Sequence, residues 1–334
     1  LRTRRQRQMC IRDRFKTKSE IALDLIDRSQ SNGIAVKAWT FDEGYGRDGH
    51  FLDGLDARGL AFVGEVPPQF HAWLGKPKVL KKPPKRRQRG RQHQYPRLAR
   101  RDAKPSEVRN LARYSPGFTE QRAQRYRVKD NHKGPEVWEI CWHTCWRKTH
   151  HRGLISNQCT LIVATHVLSG EVKYFLSNRV PGRDGWTVRE LLRIAFGRWQ
   201  IETCFRESKE ELGWAHFECR GWQCIHRHLY VTILSQLFCA RVRQWLSPQE
   251  AVASGELLTV EQVRRAANVF IESIGLSRTE RHRLLQQELD RQHYYQTRNA
   301  TASKSHRKRR YEKLRALEID PDSIKSVYPK GPPC

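Results

Sequence analysis

The chain has 334 residues, 63 of them Lys or Arg against 35 Asp or Glu, for a formal charge of +28. That excess excludes an ordinary neutral metabolic enzyme as the starting reading and points to a polyanion, nucleic acid before an anionic membrane surface. With 38% hydrophobic residues the chain can bury a substantial core. No apolar run nears the roughly eighteen residues of a spanning helix, and the nine irregularly spaced cysteines read as cytosolic thiols.

The first residue is Leu1, and the run from Arg7 to Asp13 resembles one reading frame of a sequencing-library adapter. Residues 1–14 are therefore expected to be a non-native or disordered leader. From 19 to 29 the spacing of Ile21, Ala22, Leu25 and Ile26 predicts an amphipathic helix, ended at Ser31-Asn32-Gly33. Residues 34–41 read as a strand with Ile34, Val36 and Ala38 on one face, stopping at Asp42-Glu43-Gly44-Tyr45-Gly46. A short helix over 50–58 and a second strand over 60–66 follow, an order that favours an α/β core.

Pro67 breaks that order. Between Lys76 and Lys104 there are thirteen Lys or Arg and one acid, Asp102, so the segment reads as an exposed basic loop of net charge +12. Four β-like stretches, 126–128, 137–142, 161–165 and 172–176, then predict a largely antiparallel unit with turns at Asn131–Gly134 and Ser169-Gly170. Within it Cys141, His143 and Cys145 alternate along one strand face, with His150 and His151 beyond. Zinc sites pair close couples about a dozen residues apart, so this set reads as strand packing. Thr187 and Glu190 form a capping box that opens a helix over 190–212, and a strongly apolar helix is predicted over 222–245. Helices over 258–274 and 278–296, a basic segment over 304–315 and a turn-rich end complete the chain.

Two carboxylates are candidates for chemistry. Asp42 ends a strand before a glycine turn, where α/β sheets present ligands, although a turn aspartate bonding its own backbone fits the same pattern. Glu202 lies four residues after Arg198 and seven before Lys209, so the three share nearly one helix face, as an ordinary ladder of surface ion pairs also would. Hard divalent ions take oxygen ligands from such side chains, and two of them can clamp a phosphodiester. His306-Arg307-Lys308-Arg309-Arg310 offers non-specific phosphate contacts.

The blocks Thr40–Gly46, Lys133-Gly134-Pro135 with Val137-Trp138-Glu139, and Tyr174–Asn178 resemble the DDE transposases of bacterial insertion sequences. So, more specifically, does Arg198-Trp199-Gln200-Ile201-Glu202 with Cys204-Phe205, Lys209–Gly213 and His216–Glu218, similar to the group with the signature Tyr-x2-Arg-x3-Glu-x6-Lys. The resemblance covers about 18–318. It implies an α/β, RNase H-like catalytic core interrupted by a β-rich insertion and followed by a basic helical C-terminal region. It implies two Mg²⁺ ions (or Mn²⁺) held by Asp, Asp and Glu, with Asp42 as second aspartate and Glu202 as glutamate. Arg198 and Lys209 would contact DNA near the cleaved end. The implied partners are double-stranded DNA, both element ends and target, and a second copy in a homodimer. The implied place is a prokaryotic cytoplasm, on DNA and away from membrane.

This reading divides the chain into a leader (1–14), the first part of the core (15–66), a basic loop (67–117), the β-rich insertion (118–182), the glutamate helix with a core-packing helix (183–245) and the basic helical end (246–334). Two departures stand out. Ala195 occupies the signature tyrosine position, and no strand-borne aspartate precedes Asp42. The chain is accordingly expected to be an N-terminally truncated transposase, inactive as it stands. The alternatives are a non-catalytic nucleic-acid-binding remnant and a metal-dependent DNA nuclease.

Overall fold

The structure is a computed structural model that describes residues 16–83, 94–99, 104–150, 154–246 and 258–328. In chain order its elements are α1 (Lys18–Ser31), α2 (Glu43–Gly46), α3 (Gly49–Ala57), β1 (Val63–Val66), β2 (His71–Trp73), β3 (Val79–Leu80), β4 (Arg97–Leu98) and β5 (Ser106–Glu107). There follow α4 (Val108–Tyr114), α5 (Pro116–Thr119), β6 (Gln124–Asn131), β7 (Gly134–Lys148), β8 (Ile155–His166) and β9 (Val172–Ser177). The last are α6 (Val188–Gly197), α7 (Trp199–Glu210), α8 (Trp222–Leu246), α9 (Val260–Glu272), α10 (Arg278–Arg315) and β10 (Lys325–Ser326). They divide into two compact units, one holding the described residues up to Gln124 with Trp138–Ala195, the other Arg125–Val137 with the described residues from Phe196 onward.

The first unit is built on a sheet of order β1-β9-β8-β7-β2-β5 in which every neighbouring pair is antiparallel. Strand β8 is buried from Cys159 to Ala164, as a central strand covered on both faces must be. Leu23 and Ile26 of α1, Phe51, Leu52 and Leu55 of α3, and Cys159, Leu161 and Val163 of β8 share one core cluster. Helix α1 opens with a capping box between Thr17 and Glu20, and Leu23 packs on Gly54, where a Cβ would lie 2.5 Å from its Cδ1.

The predicted strand over 34–41 forms only at its end. Ile34 and Val36 are exposed, while Trp39 and Phe41 run parallel to β1 through Trp39 N to Ala61 O (2.8 Å), Val63 N to Trp39 O (2.9 Å) and Glu65 N to Phe41 O (3.1 Å). The glycines after Asp42 serve a different purpose from the turn expected of them. Neither has a positive φ; Gly46 instead lies so close to β1 that a Cβ would fall 1.9 Å from Glu65 O. Part of the basic loop is ordered as the small β3–β4 pair, with Val79 opposite Leu98. Residues 84–93 and 100–103 of that loop, the leader 1–14, and residues 247–257 and 329–334 of the basic end lie outside the described residues.

In the second unit β6 pairs with the start of β7 across the Asn131–Gly134 turn, and β10 pairs with β6 in parallel. Lys133 N donates to Asn131 Oδ1, and Gly134 takes the left-handed φ of +93° that the tight turn requires. Helices α8 and α9 meet around Cys239, Val260 and Val263. The glutamate helix predicted over 190–212 is two helices, broken at Arg198 directly after Gly197, whose backbone freedom disfavours the helical state. The helix predicted to end near 296 instead runs to Arg315 and takes in the whole basic segment. Its apolar periodicity fades, but no Gly or Pro interrupts it, and Thr297 and Thr301 hydroxyls bond back to carbonyls four residues earlier. Among the described residues no helix is long and apolar enough to cross a membrane.

Candidate functional site

Asp42 stands where the parallel segment leaves β1, at the N-cap of α2. Its Oδ1 accepts the Tyr45 N–H at 3.2 Å, and the side chain is exposed. This is the local bonding of a turn aspartate. Asp42 belongs to the first unit and Glu202 to the second.

Glu202 lies in the first turn of α7 with 61% of its side chain exposed, and Arg198 Nη2 sits 2.8 Å from its Oε1. Lys209 is exposed in the last turn of the same helix, while Arg198 stands at its N-cap, ion-paired to Glu202. Beside them Trp199 receives Lys129 Nζ 3.9 Å from its ring centroid, a cation–π contact that ties α7 to β6. The side of α7 that packs inward is held by Ser208, buried, whose hydroxyl donates to Gln236 Oε1 of α8 at 2.8 Å.

The four basic residues on α10 divide by role. Arg307 faces β6 and binds Asp130 through two contacts, Nη1 to Oδ1 at 2.7 Å and Nη2 to Oδ2 at 3.4 Å. Partial burial pulls its guanidinium down, and the Asp130 pair outweighs that and holds it above the ordinary arginine value. Arg310 donates to Gly134 O at 3.1 Å and lies 3.7 Å from Glu136. Lys308 and Arg309 are exposed on the other side of the helix. Two of the predicted phosphate contacts thus secure α10 to the β6–β7 hairpin, and two face solvent.

Sequence reasoning passed over the most buried charge in the first unit. Arg147 is fully buried at a bulge of β7, with Nη1 and Nη2 each 2.6 Å from a carboxylate oxygen, of Asp53 and Asp56 on α3 respectively. The Nη1 contact is an ion pair outside hydrogen-bond alignment, and Nε has no acceptor. Asn178 Nδ2 completes the cluster by donating to Asp56 Oδ1 (2.9 Å) and Leu60 O (2.8 Å). Partners 91 and 94 residues away leave no local signal. Cys145 and Cys159 face each other across β7 and β8 beside this cluster. Burial pushes both thiols up, that of Cys159 to about 11, which keeps them protonated and inert. Cys141, His143 and Cys145 lie along β7 as predicted, and among the described residues no group of three or more His, Cys, Asp or Glu can hold a metal ion.

Residues 1–135 match the family described as DDE superfamily endonuclease. The match includes Asp42 and the basic loop, spans less than half of the chain and ends before Glu202. No curated protein matches the chain.

Proposed function

We propose that this chain is a transposase of the DDE class, on an RNase H-like core, whose DNA partners are the double-stranded ends of an insertion sequence and its target. The observation that carries this reading is the match of residues 1–135 to the DDE superfamily endonucleases. The net charge of +28 and the exposed Lys209, Lys308 and Arg309 support it as phosphate-binding groups. In this reading Asp42 and Glu202 are the carboxylates that face the scissile phosphodiester, and Arg198 and Lys209 handle the DNA end.

Each carboxylate taken by itself is committed to a local partner. Asp42 spends one oxygen on capping α2, Glu202 pairs with Arg198, and among the described residues neither belongs to a group of three or more His, Cys, Asp or Glu that could hold a metal ion. No metal-dependent step is therefore assigned to these residues, and the polypeptide of 334 residues is proposed to bind DNA without cutting it. The pairing of Glu202 with Arg198 favours one second reading, a nucleic-acid-binding protein without chemistry.

The test is to incubate the full chain with Mg²⁺ or Mn²⁺ and supercoiled DNA beside its Glu202→Gln variant, and to measure duplex binding by both. Binding without cleavage is the expected result. Cleavage by the parent that the variant lacks would overturn the inactivity and give Glu202 a catalytic role. Failure of both to bind duplex DNA would overturn the transposase reading itself.

A further inference from the structure

Helix α8 was predicted as a core helix on the strength of Tyr230-Val231-Thr232-Ile233-Leu234, yet only Thr232 and Cys239 are buried in it. Its outward side carries an aromatic row at a spacing of four. Trp222 is 71% exposed and Tyr230 64%, with His226 between them, its ring centroid 4.0 Å from Trp222 and 6.2 Å from Tyr230. Residues four apart stack along one helix face, so the three rings form a continuous strip about 12 Å long. No Asp or Glu occurs in the 25 residues of α8. Arg227 is exposed within the span of the row, Arg220 just ahead of the helix, and Arg241 further along it, beyond Tyr230.

We propose that this row is a stacking platform for a single DNA strand with unpaired bases, whose phosphates Arg220 and Arg227 hold. It rests on the DNA reading above and adds the kind of strand bound and the place. A surface that is at once apolar, aromatic and cationic complements a ligand with flat π faces on an anionic backbone. Paired DNA hides those faces inside its stack and a single strand does not. A strip of this length serves a few bases. A second copy of the helix is a poorer occupant. Antiparallel self-pairing about Leu234 sets Arg227 against Arg241 of the other copy, seven residues either side, with no carboxylate to separate them.

The experiment measures binding of a labelled oligo(dT) and of a blunt duplex of equal length to the full chain, by anisotropy at one fixed salt concentration. Trp222→Ala and Tyr230→Ala should each weaken oligo(dT) binding about tenfold and the double variant roughly a hundredfold, with Trp222→Phe close to the parent. Duplex affinity should change less than about twofold, because phosphate contacts dominate it. The exposed positions make misfolding of these variants a minor concern, and circular dichroism of each checks it. Unchanged oligo(dT) affinity in the double variant, with duplex binding intact, overturns the platform and leaves the DNA reading standing. So does a dimer-to-monomer change in sedimentation without loss of oligo(dT) affinity, which would make the row a self-association surface. A parent chain that binds neither ligand overturns both readings.

Discussion

Arg147 shows how much one buried side chain can oblige its surroundings to do. A bulge in β7 leaves its N–H to the Ser156 hydroxyl (3.0 Å) and its guanidinium inside the unit, where Asp53 and Asp56 balance the charge. Removing one partner of such a cluster strands the others in a poor solvent. Arg147→Met should therefore cost about 3–5 kcal/mol in urea unfolding, and adding Asp53→Asn and Asp56→Asn should recover part of the loss. No recovery would mean that packing volume, and not stranded charge, sets the cost. Carboxylates nearer the surface act through pH instead. Hydrogen bonding to Arg58 holds Asp27 down. Burial pushes Asp48 up, but bonds from the Ser19 hydroxyl and the His50 and Phe51 N–H groups bring it below its ordinary value. Lys37 and Thr187 lower Glu190 similarly. Groups depressed in the folded state stabilise it above their unfolded values, near 4, and lose that contribution as pH falls through the depressed ones. Unfolding midpoints should thus stay level from pH 7 to about 4.5 and drop below about pH 4. A decline already between pH 7 and 5 would contradict this.

Among the elements, α10 is the one whose charges the structure sorts most clearly. Arg307 and Arg310 turn toward Asp130, Gly134 and Glu136 on the β6–β7 hairpin, while Lys308 and Arg309 face solvent. Arg307→Gln should release the hairpin, since Asp130 loses its partner. The Arg307 and Asp130 side chains are 42% and 33% exposed, so screening reduces the effect to on the order of 1 kcal/mol. Hydrogen exchange over 125–137 should quicken in that variant. In Lys308→Gln with Arg309→Gln, exchange should stay as in the parent while duplex affinity falls. The opposite assignment of effects would exchange the roles of the two pairs.

For the molecule as a whole, charge sets the behaviour before any particular contact does. Cations outnumber acids by 28, with +12 in residues 76–104 and +7 in 280–315. If several of these neutralise phosphates, raising salt from about 50 to about 200 mM should weaken duplex binding roughly tenfold or more, as released counterions lose their entropic advantage. Affinity that is flat across that range would point to a partner other than a phosphate backbone.

What the residues declare by themselves is whatever depends on near neighbours. The helix at 18–31 follows from its capping box and apolar spacing, and Thr187 with Glu190 form the predicted box at α6, bonded 3.2 Å each way between backbone N–H and side chain. The strands 124–148 and 155–177 follow from β-rich runs between turn residues, because alternation and turn chemistry are local properties. The resemblance to DDE transposases rests on short blocks such as Thr40–Gly46, which lies inside residues 1–135 that match the DDE superfamily endonucleases. Tertiary structure alone decided the rest. It shortened the predicted strand 34–41 to the residues that find β1, since a strand exists only where a partner supplies hydrogen bonds. It made Gly46 necessary through the approach of Glu65, and it buried Arg147 against carboxylates more than ninety residues away. It also left the long, acid-free helix α8 exposed along most of its length and committed Arg307 to Asp130, because which face of a helix meets water depends on which neighbours arrive.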